Sequence, residues 1–333
     1  MAFKANTTVL IVDDALTMAQ GIRAILAMAG VTQSETASHA GEASNRLRAK
    51  RFDIVLCDYN LGSGMNGQEL LELMRKSGTL PLSTLWVMIT GERNYTQVVT
   101  AAETAPDDYF LKPFSSQQLL DRLELALQRK AYLAPAHRLL EKGKTEQAIQ
   151  TLQELAQQAD SRQSRLDALR LRAELLVSEG LYEPALQVYQ GLLAQEEIPW
   201  AKMGVARILA EQGDSSRSNV LLDEVIAIAP RYTDAYDLLA QNMVDDGAYQ
   251  EAAAVLEKAV GISPRNFTRL HNYGKALLRS GEAARAADQL QRAVDIGRNN
   301  AFFGPEVLVD LMQARSESGQ TQQLDRLQND IST

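Results

Sequence analysis

The chain is poor in cysteine and histidine. Its 333 residues include one cysteine, Cys57, and three histidines, His39, His137 and His271. A single cysteine excludes an internal disulfide framework, and three scattered histidines do not build a metal site with it. We therefore interpret Cys57 as a packing residue of a predicted strand.

Long apolar runs and charge of one sign are also missing. The sequence has no stretch of about 18 apolar residues, and its amino-terminal residues lack a basic segment that leads into an apolar stretch and a cleavage site. We therefore expect a cytoplasmic protein without membrane insertion. Residues 1–125 carry a net charge of −3 and the remaining residues −5. Because neither part is basic, nucleic acid is disfavoured as a partner.

Four apolar runs stand out in the first 115 residues, and each ends on polar side chains. The runs 9–12, 54–57, 85–89 and 109–111 are followed by Asp13 and Asp14, Asp58, Thr90 and Lys112, respectively. Helical spacing lies between the runs, at residues 16–29, 40–49, 68–75, 95–103 and 116–128. Strands that alternate with helices in this way predict an α/β fold with a five-stranded, doubly wound parallel sheet.

The polar residues after these runs have complementary chemistry. The carboxyl ends of neighbouring parallel strands line one crevice, so the residues should meet there. Carboxylates at Asp13, Asp14 and Asp58 would repel by about 4 kcal/mol per pair at about 4 Å, which predicts a divalent cation between them. Mg²⁺ is the expected cation because it prefers hard oxygen ligands. An aspartate carboxylate can attack phosphorus, and Asp58 stands alone at its strand end. Lys112 and Thr90 would then contact phosphoryl oxygens.

With these residues in this order, segment 6–128 resembles the receiver (CheY-like) domain of two-component response regulators. Such domains have a flavodoxin-like fold and take a phosphoryl group from a histidine kinase or a phosphotransfer protein. The resemblance implies a phosphoacceptor at Asp58, Mg²⁺ ligands at Asp13, Asp14, Asp58 and Asn60, phosphoryl-binding groups at Thr90 and Lys112, and switch residues at Thr90 and Tyr109. It also implies a cis peptide bond between Lys112 and Pro113.

The loop after the acceptor departs from the family pattern. Receivers commonly have proline four residues after the acceptor and glycine at eight, whereas here Gly62 follows at four and Gly67 at nine. The inserted residue puts a different loop shape next to the site. The family further implies that Asn60 and Glu92 tune dephosphorylation. Because both are polar and able to orient water, we expect a phosphoryl state that lasts seconds to minutes.

Beyond residue 130 the strand patterns stop, and a glycine-centred unit recurs at intervals of 37, 33, 34, 34 and 38 residues. The glycines are Gly143, Gly180, Gly213, Gly247, Gly281 and Gly319. This period resembles tetratricopeptide repeats, each a helix-turn-helix. Pro230 and Pro264 should end second helices, and small residues seven positions before a glycine should let helices approach closely, namely Ala173, Ala206, Ala240 and Gly274. We expect an all-α solenoid of five to six repeats over residues 129–333, after a receiver domain over residues 1–128.

A helical solenoid has no catalytic groups of its own, and its groove suits a peptide or a helix of a client protein. The groove candidates on the first helices of repeats three to five are Trp200, Met203, Arg207, Tyr236, Gln241, His271, Lys275 and Arg279. Such a trough favours a client with acidic and apolar features. Alternatively, Trp200 and Tyr236 pack within their repeats and the charges are solvated.

The main hypothesis is a cytoplasmic response regulator whose Mg²⁺-dependent phosphorylation on Asp58 modulates protein binding by the repeats. It would not be an enzyme apart from the chemistry of its own receiver. Residues 129–135 lack the composition of a flexible tether, which predicts closely joined modules and a nearly continuous helix. Two alternatives stay open: a scaffold that uses the receiver fold only for docking, and a phosphatase with an aspartyl nucleophile. A homodimer, the cognate kinase and the direction of control also stay open.

Overall fold

The computed structural model describes residues 3, 6–62, 65–91, 106–264, 266–297 and 303–320. The chain divides into two compact units, Met1–Leu192 and Leu193–Thr333. Glu92 and the helix predicted at residues 95–103 lie outside the described residues. None of the described helices is both long enough and apolar enough to cross a membrane.

The amino-terminal part contains the predicted five-stranded parallel sheet. The strands are β1 (Thr8–Val12), β2 (Gln33–Ala37), β3 (Ile54–Asp58), β4 (Leu85–Thr90) and β5 (Asp108–Leu111). Their spatial order is β2-β1-β3-β4-β5, and neighbouring strands are parallel. The described helices of this part are α1 (Leu16–Met28), α2 (Ala40–Ala49), α3 (Gly67–Lys76) and α4 (Ser116–Leu140). The predicted flavodoxin-like fold is confirmed.

Strands β1, β3 and β4 are buried on both faces, as their near-continuous apolar sequences predict, whereas the edge strands β2 and β5 are partly exposed. On one face, Cys57 and Trp86 pack in a core that also contains apolar residues of α2 and α3. On the other face, Ile11 and Val87 pack with residues of α1 and the first half of α4. Because side chains alternate along a strand, neighbouring residues enter opposite cores. Cys57 is fully buried, which confirms its packing role.

Helix α4 joins the sheet domain to the repeats without a break. It begins with a capping box, in which Ser115 Oγ accepts from the Gln118 backbone N–H and Gln118 Oε1 accepts from the Ser115 N–H. It then runs for 25 residues and passes through Pro135. Its first half packs on the sheet, whereas Ala136 belongs to the core of the helices that follow. This confirms the prediction of a nearly continuous connection.

The rest of the described chain is helical. The helices are α5 (Thr145–Gln158), α6 (Arg162–Ser178), α7 (Tyr182–Leu193), α8 (Pro199–Glu211), α9 (Ser215–Ile228), α10 (Thr233–Asp245), α11 (Tyr249–Ile262), α12 (Phe267–Arg279), α13 (Ala283–Gly297) and α14 (Pro305–Glu317). Five of the six predicted glycines lie between two helices and Gly319 follows α14, all with a φ between 67° and 85°. This left-handed backbone suits glycine at a helix end. Pro230 and Pro264 follow the ends of α9 and α11, as predicted.

The small residues that precede the glycines are packed between helices. Ala173, Ala206 and Ala240 are buried. A Cβ added at Gly274 would lie 2.5 Å from Leu290 Cγ on the partner helix α13. The predicted close approach of paired helices is therefore confirmed.

Candidate functional site

Four polar side chains lie at the carboxyl-terminal edge of the sheet. Asp13 follows β1, Asp58 ends β3, Thr90 ends β4 and Lys112 follows β5. Asp13, Asp58 and Thr90 are 2%, 8% and 2% exposed, respectively. Because β1, β3, β4 and β5 are consecutive in the sheet, the strand order itself brings these residues to one edge.

Lys112 connects the two buried carboxylates. Its Nζ donates to Asp58 Oδ2 at 2.8 Å and to Asp13 Oδ2 at 3.1 Å. Burial opposes the charged form of the amine, but the hydrogen bonds and charges of Asp58 and Asp13 outweigh it and raise the pKa of Lys112. The side chain is therefore a fixed ammonium between two acids. The sequence predicted Lys112 near Asp58, whereas its contact with Asp13 is visible only in the structure.

Burial dominates the electrostatics of Asp58. It raises the pKa of this carboxyl above its ordinary value, although the hydrogen bond from Lys112 acts in the opposite direction. The backbone N–H of Asn60 also donates to the carboxylate. Burial, together with the charges of Asp58 and Asp13, raises the pKa of Cys57 well above its ordinary value. The thiol therefore stays protonated and cannot compete with Asp58 as a nucleophile.

The acidic residues fit a divalent cation. One carboxylate oxygen each from Asp13, Asp14 and Asp58 lie within 4.8 Å of one another. Asp14 is exposed beside the two buried acids, so a bound ion would keep contact with water. A cluster of hard oxygen donors that is open to water on one side matches the coordination that Mg²⁺ prefers. This acidic pocket can hold a metal ion.

Backbone hydrogen bonds hold the site residues in place. The Asp13 N–H donates to the Ala37 carbonyl at 3.0 Å, and Asp13 Oδ1 accepts from the Ala15 N–H at 2.9 Å. The Lys112 N–H donates to the Thr90 carbonyl at 2.7 Å. The peptide bond between Lys112 and Pro113 is cis, as the resemblance implied. The hydrogen bonds fix Asp13 and Lys112 at the ends of their strands.

The loop after Asp58 depends on two glycines. Gly62 has a φ of 75°, which proline cannot adopt, so this position takes a backbone different from the one that the common family proline would impose. A Cβ at Gly67 would lie 2.3 Å from the carbonyl oxygen of Asp58 and 2.9 Å from Cys57 Sγ. Sequence reasoning used Gly67 only to measure loop length and missed this contact. Its position at the start of α3, directly after a capping asparagine, is the signal that was available.

The two expected switch residues occupy different environments. Thr90 is buried at the site. Tyr109, on β5, is half-buried and packs against the core that contains Trp86. Glu92, the second residue expected to tune dephosphorylation, lies outside the described residues.

The groove candidates divide into buried and exposed side chains. Met203 is 4% exposed and packs with Leu222 and Leu239, so the expectation that it faces an open groove is wrong and its role is packing. Tyr236 is also buried, and its hydroxyl donates to the Pro230 carbonyl, which agrees with the packing alternative. Sequence periodicity could not separate these two faces of the helices.

The polar groove candidates are more accessible. Gln241, Lys275 and Arg279 are exposed, while Trp200, Arg207 and His271 are half-buried. Within the second unit, His271 Nε2 lies 2.6 Å from Asp310 Oδ2, so this ring is hydrogen-bonded to helix α14, the first helix of the following repeat.

Known protein families match the sheet domain and the helical repeats separately. The sequence profile of the response regulator receiver domain matches residues 9–124, and that of the tetratricopeptide repeat matches residues 243–302. The chain is 32% identical over 121 residues to the chemotaxis protein CheY of Pseudomonas aeruginosa, which covers 36% of this chain and 96% of that protein. It is also 32% identical over 124 residues to CheY-3 of Vibrio cholerae, over 37% of this chain and 94% of that protein.

Among solved structures, the chemotaxis response regulator CheY4 of Vibrio cholerae is 28% identical over 37% of this chain and 99% of its own length, with a TM-score of 0.34. The sheet order, the acidic pocket with its lysine, the receiver profile and the nearly complete coverage of CheY agree. The chain therefore belongs to the response regulator receiver family, with tetratricopeptide repeats after the receiver domain.

Proposed function

We propose that this protein is a response regulator of a two-component phosphorelay, phosphorylated on Asp58 in the presence of Mg²⁺. The observation that carries the proposal is the contact of 2.8 Å between Asp58 and Lys112, next to two further carboxylates at the same sheet edge. The donor would be a histidine kinase or a phosphotransfer protein of the cytoplasm. The receiver would exchange a single phosphoryl group and would not turn over a phosphoester.

The side chains divide the work of phosphoryl transfer. An Asp58 oxygen forms a bond to phosphorus while the bond from phosphorus to the donor's imidazole nitrogen breaks and its electrons stay on that nitrogen. Because the donor ring carries a proton on its other nitrogen, it leaves as neutral imidazole. Lys112 holds Asp58 before transfer and can contact a phosphoryl oxygen afterwards, because its ammonium already reaches this position. Thr90, buried at the end of β4, supplies a hydroxyl.

The cation would be held by Asp13, Asp14, Asp58 and the carbonyl of Asn60. When bound there, Mg²⁺ supplies positive charge that offsets the carboxylates and the phosphoryl oxygens. Asn60 and Glu92 would orient the water that hydrolyses the acyl phosphate. Tyr109 and Thr90 would change position when the phosphoryl group is present and thereby alter the surface of the receiver.

Labelling with a small phosphodonor tests the phosphoacceptor. Wild-type protein with acetyl phosphate and Mg²⁺ should gain one phosphoryl group by mass spectrometry, and Asp58→Asn should gain none. Asp121→Asn is the matched control, because Asp121 is an exposed carboxylate of the same domain and accepts a hydrogen bond from Gln117 of its own helix. Retained labelling of Asp58→Asn refutes the assignment. Sustained hydrolysis of a phosphoester would instead favour the phosphatase alternative.

The repeats would supply the output by binding a client protein. The exposed residues Lys275 and Arg279 lie one turn apart on α12, and a client with acidic and apolar features fits them. A pull-down from native cytosol with and without beryllofluoride and Mg²⁺ tests this output. A client whose capture changes with beryllofluoride, and no longer changes in Asp58→Asn, supports regulation. Capture that changes neither with beryllofluoride nor with Asp58→Asn supports the scaffold alternative.

A further inference from the structure

The first repeat shares the register of the later ones. Ala136 lies seven residues before Gly143, as Ala206, Ala240 and Gly274 do before their own glycines. Ala136 is fully buried, like those residues. The second half of α4 is therefore the first helix of repeat one.

This register identifies the side of repeat one that corresponds to the proposed client-binding side. Apart from His271, which lies three residues before Gly274, the accessible groove candidates occupy three offsets from the small residue. Trp200 lies six residues before it, Arg207, Gln241 and Lys275 lie one after it, and Arg279 lies five after it. The same three offsets from Ala136 fall on Lys130, His137 and Glu141. In the later repeats these positions are half-buried or exposed.

In repeat one, Lys130 is turned against the receiver. Its Nζ donates to the Leu82 carbonyl at 2.6 Å and lies 2.8 Å from Asp107 Oδ1, and its side chain is only 13% exposed. The other oxygen of Asp107 accepts from the Trp86 N–H at 2.8 Å. Asp107 therefore bridges the base of the sheet and the repeat helix.

The other two positions face the same loop region. Ser83 Oγ donates to Glu141 Oε1 at 3.0 Å. His137 is 5% exposed, and its Nδ1 has no hydrogen-bond partner among the described residues. The charges of Lys130 and Asp107 act on this ring, which places it in the same cluster. The Lys130 side chain and His137 are thus covered beside the receiver loop, whereas Glu141 contacts the loop and stays exposed.

The receiver fixes this loop from its own side. Arg75 Nη1, near the end of α3, donates to the Pro81 carbonyl at 2.7 Å. Thr84 Oγ1 donates to the Phe52 carbonyl at 2.8 Å. These bonds hold the loop in place from the receiver side, while the Leu82 carbonyl is left to accept from Lys130 of the helix.

We propose that the receiver loop at residues 80–84 is an intramolecular ligand of repeat one, held by Lys130, which keeps the client-binding side of this repeat closed. The inference deepens the proposed function, because it rests on the use of that side of the repeats for binding. In this form a client meets the repeats only from the second one onward. The loop binds through a backbone carbonyl and a hydroxyl presented to a lysine and a glutamate.

Chemical labelling of histidine tests the closure directly. Diethyl pyrocarbonate modifies accessible neutral imidazoles, and mass spectrometry resolves His39, His137 and His271. In the wild-type chain, exposed His39 should react and His137 should be protected. Lys130→Met keeps the length of the stem and removes the ammonium. It should accelerate labelling of His137 by about tenfold or more, because loss of a hydrogen bond to a charged group shifts local opening by that order.

Matched variants separate the latch from general unfolding. Lys142→Met removes an exposed lysine from the end of the same repeat helix region and should leave His137 protected. Ser83→Ala, a milder change than Lys130→Met, should give an intermediate rate. Labelling of His271 should stay at its wild-type rate in all variants, which shows that the second unit is folded. An unchanged far-UV circular dichroism spectrum shows that the first unit is folded as well.

Two outcomes overturn the proposal. One is a wild-type His137 that reacts as fast as His39, because the loop then does not cover the repeat. The other is a His137 that stays protected in both Lys130→Met and Ser83→Ala. Failure of phosphorylation at Asp58 would leave this labelling pattern unchanged, so failure of the latch and failure of the proposed function are distinguishable.

Discussion

His137 should make the stability of the first unit depend on pH. Burial, reinforced by the charges of Lys130 and Arg75, lowers the pKa of this imidazole from 6.5 to about 4. The unfolded chain therefore binds a proton between these values that the folded chain does not. The contribution of the neutral His137 ring to the free energy of unfolding is therefore fully present above about pH 6.5. It is lost as the pH falls toward about 4.

The size of this effect follows from the two pKa values. A difference of 6.5 against about 4 corresponds to about 3 kcal/mol once both states are protonated, at about 1.36 kcal/mol per pH unit. At about pH 5 the loss attributable to His137 should be about 2 kcal/mol relative to about pH 7.5. This is a large fraction of the stability of an ordinary domain.

Urea unfolding measures the effect. The chain has two tryptophans, and in a Trp200→Phe background the remaining Trp86 reports on the receiver core. The free energy of unfolding is determined at both pH values, with and without His137→Leu. Carboxylates contribute to both proteins, so the difference between the two pH dependences isolates His137. If the two proteins lose equal stability between these pH values, the reasoning about the buried ring is wrong.

Three further variants test other parts of the structure. Gly67→Ala should destabilise the receiver by about 2 kcal/mol, because its Cβ would lie 2.3 Å from the Asp58 carbonyl oxygen, and it should slow labelling by acetyl phosphate. Gly21→Ala is the control, because a Cβ at Gly21 has open space around it; this variant should be neutral or stabilising in the same urea titration. Arg269→Met should destabilise the second unit by about 2 kcal/mol, since buried Arg269 makes hydrogen bonds of 2.8 Å and 2.5 Å to Asp237. The exposed Arg217→Met should change the melting temperature little, and equal effects of the two arginine variants would contradict this account. Asn60→Met should lengthen the lifetime of the phosphoryl group, and a wild-type lifetime of many hours, unchanged in the variant, would remove its tuning role.

The receiver site could be predicted because its signals are local. Four of the five strands are apolar runs in the sequence, and each functional residue of the site lies directly at the end of one of them, as Asp58 and Lys112 do. Strand β2 has no such run. Parallel topology then dictates that these ends share an edge. The contact of Lys112 with Asp13 could not be predicted, because 99 residues separate them and the side-chain geometry depends on the packed strand ends.

The repeats show where periodicity stops being informative. Glycine spacing predicted the turns, since a positive φ after a helix selects glycine with few alternatives. It did not predict that Met203 is buried, because a first helix of such a repeat packs on both neighbours and has only a narrow open side. The contact of the half-buried Lys130 with the receiver loop was missed for a related reason. A lysine next to an arginine after an amphipathic helix suggests a solvated end, unless the loop that covers it is already known.

Helix α4 also sets the angular phase between the receiver and the first repeat. An α-helix advances by about 1.5 Å and turns by about 100° per residue. A single residue inserted between Leu123 and Lys130 would therefore rotate the later side chains of the helix by about 100° around its axis and move Lys130 away from Asp107. Only insertions or deletions of about seven residues, which make up two turns, would restore the original direction of the later side chains around the helix axis. Each such change would still move the repeat by about 10 Å along the axis. The length of this one helix is thus as constrained as the chemistry at the sheet edge.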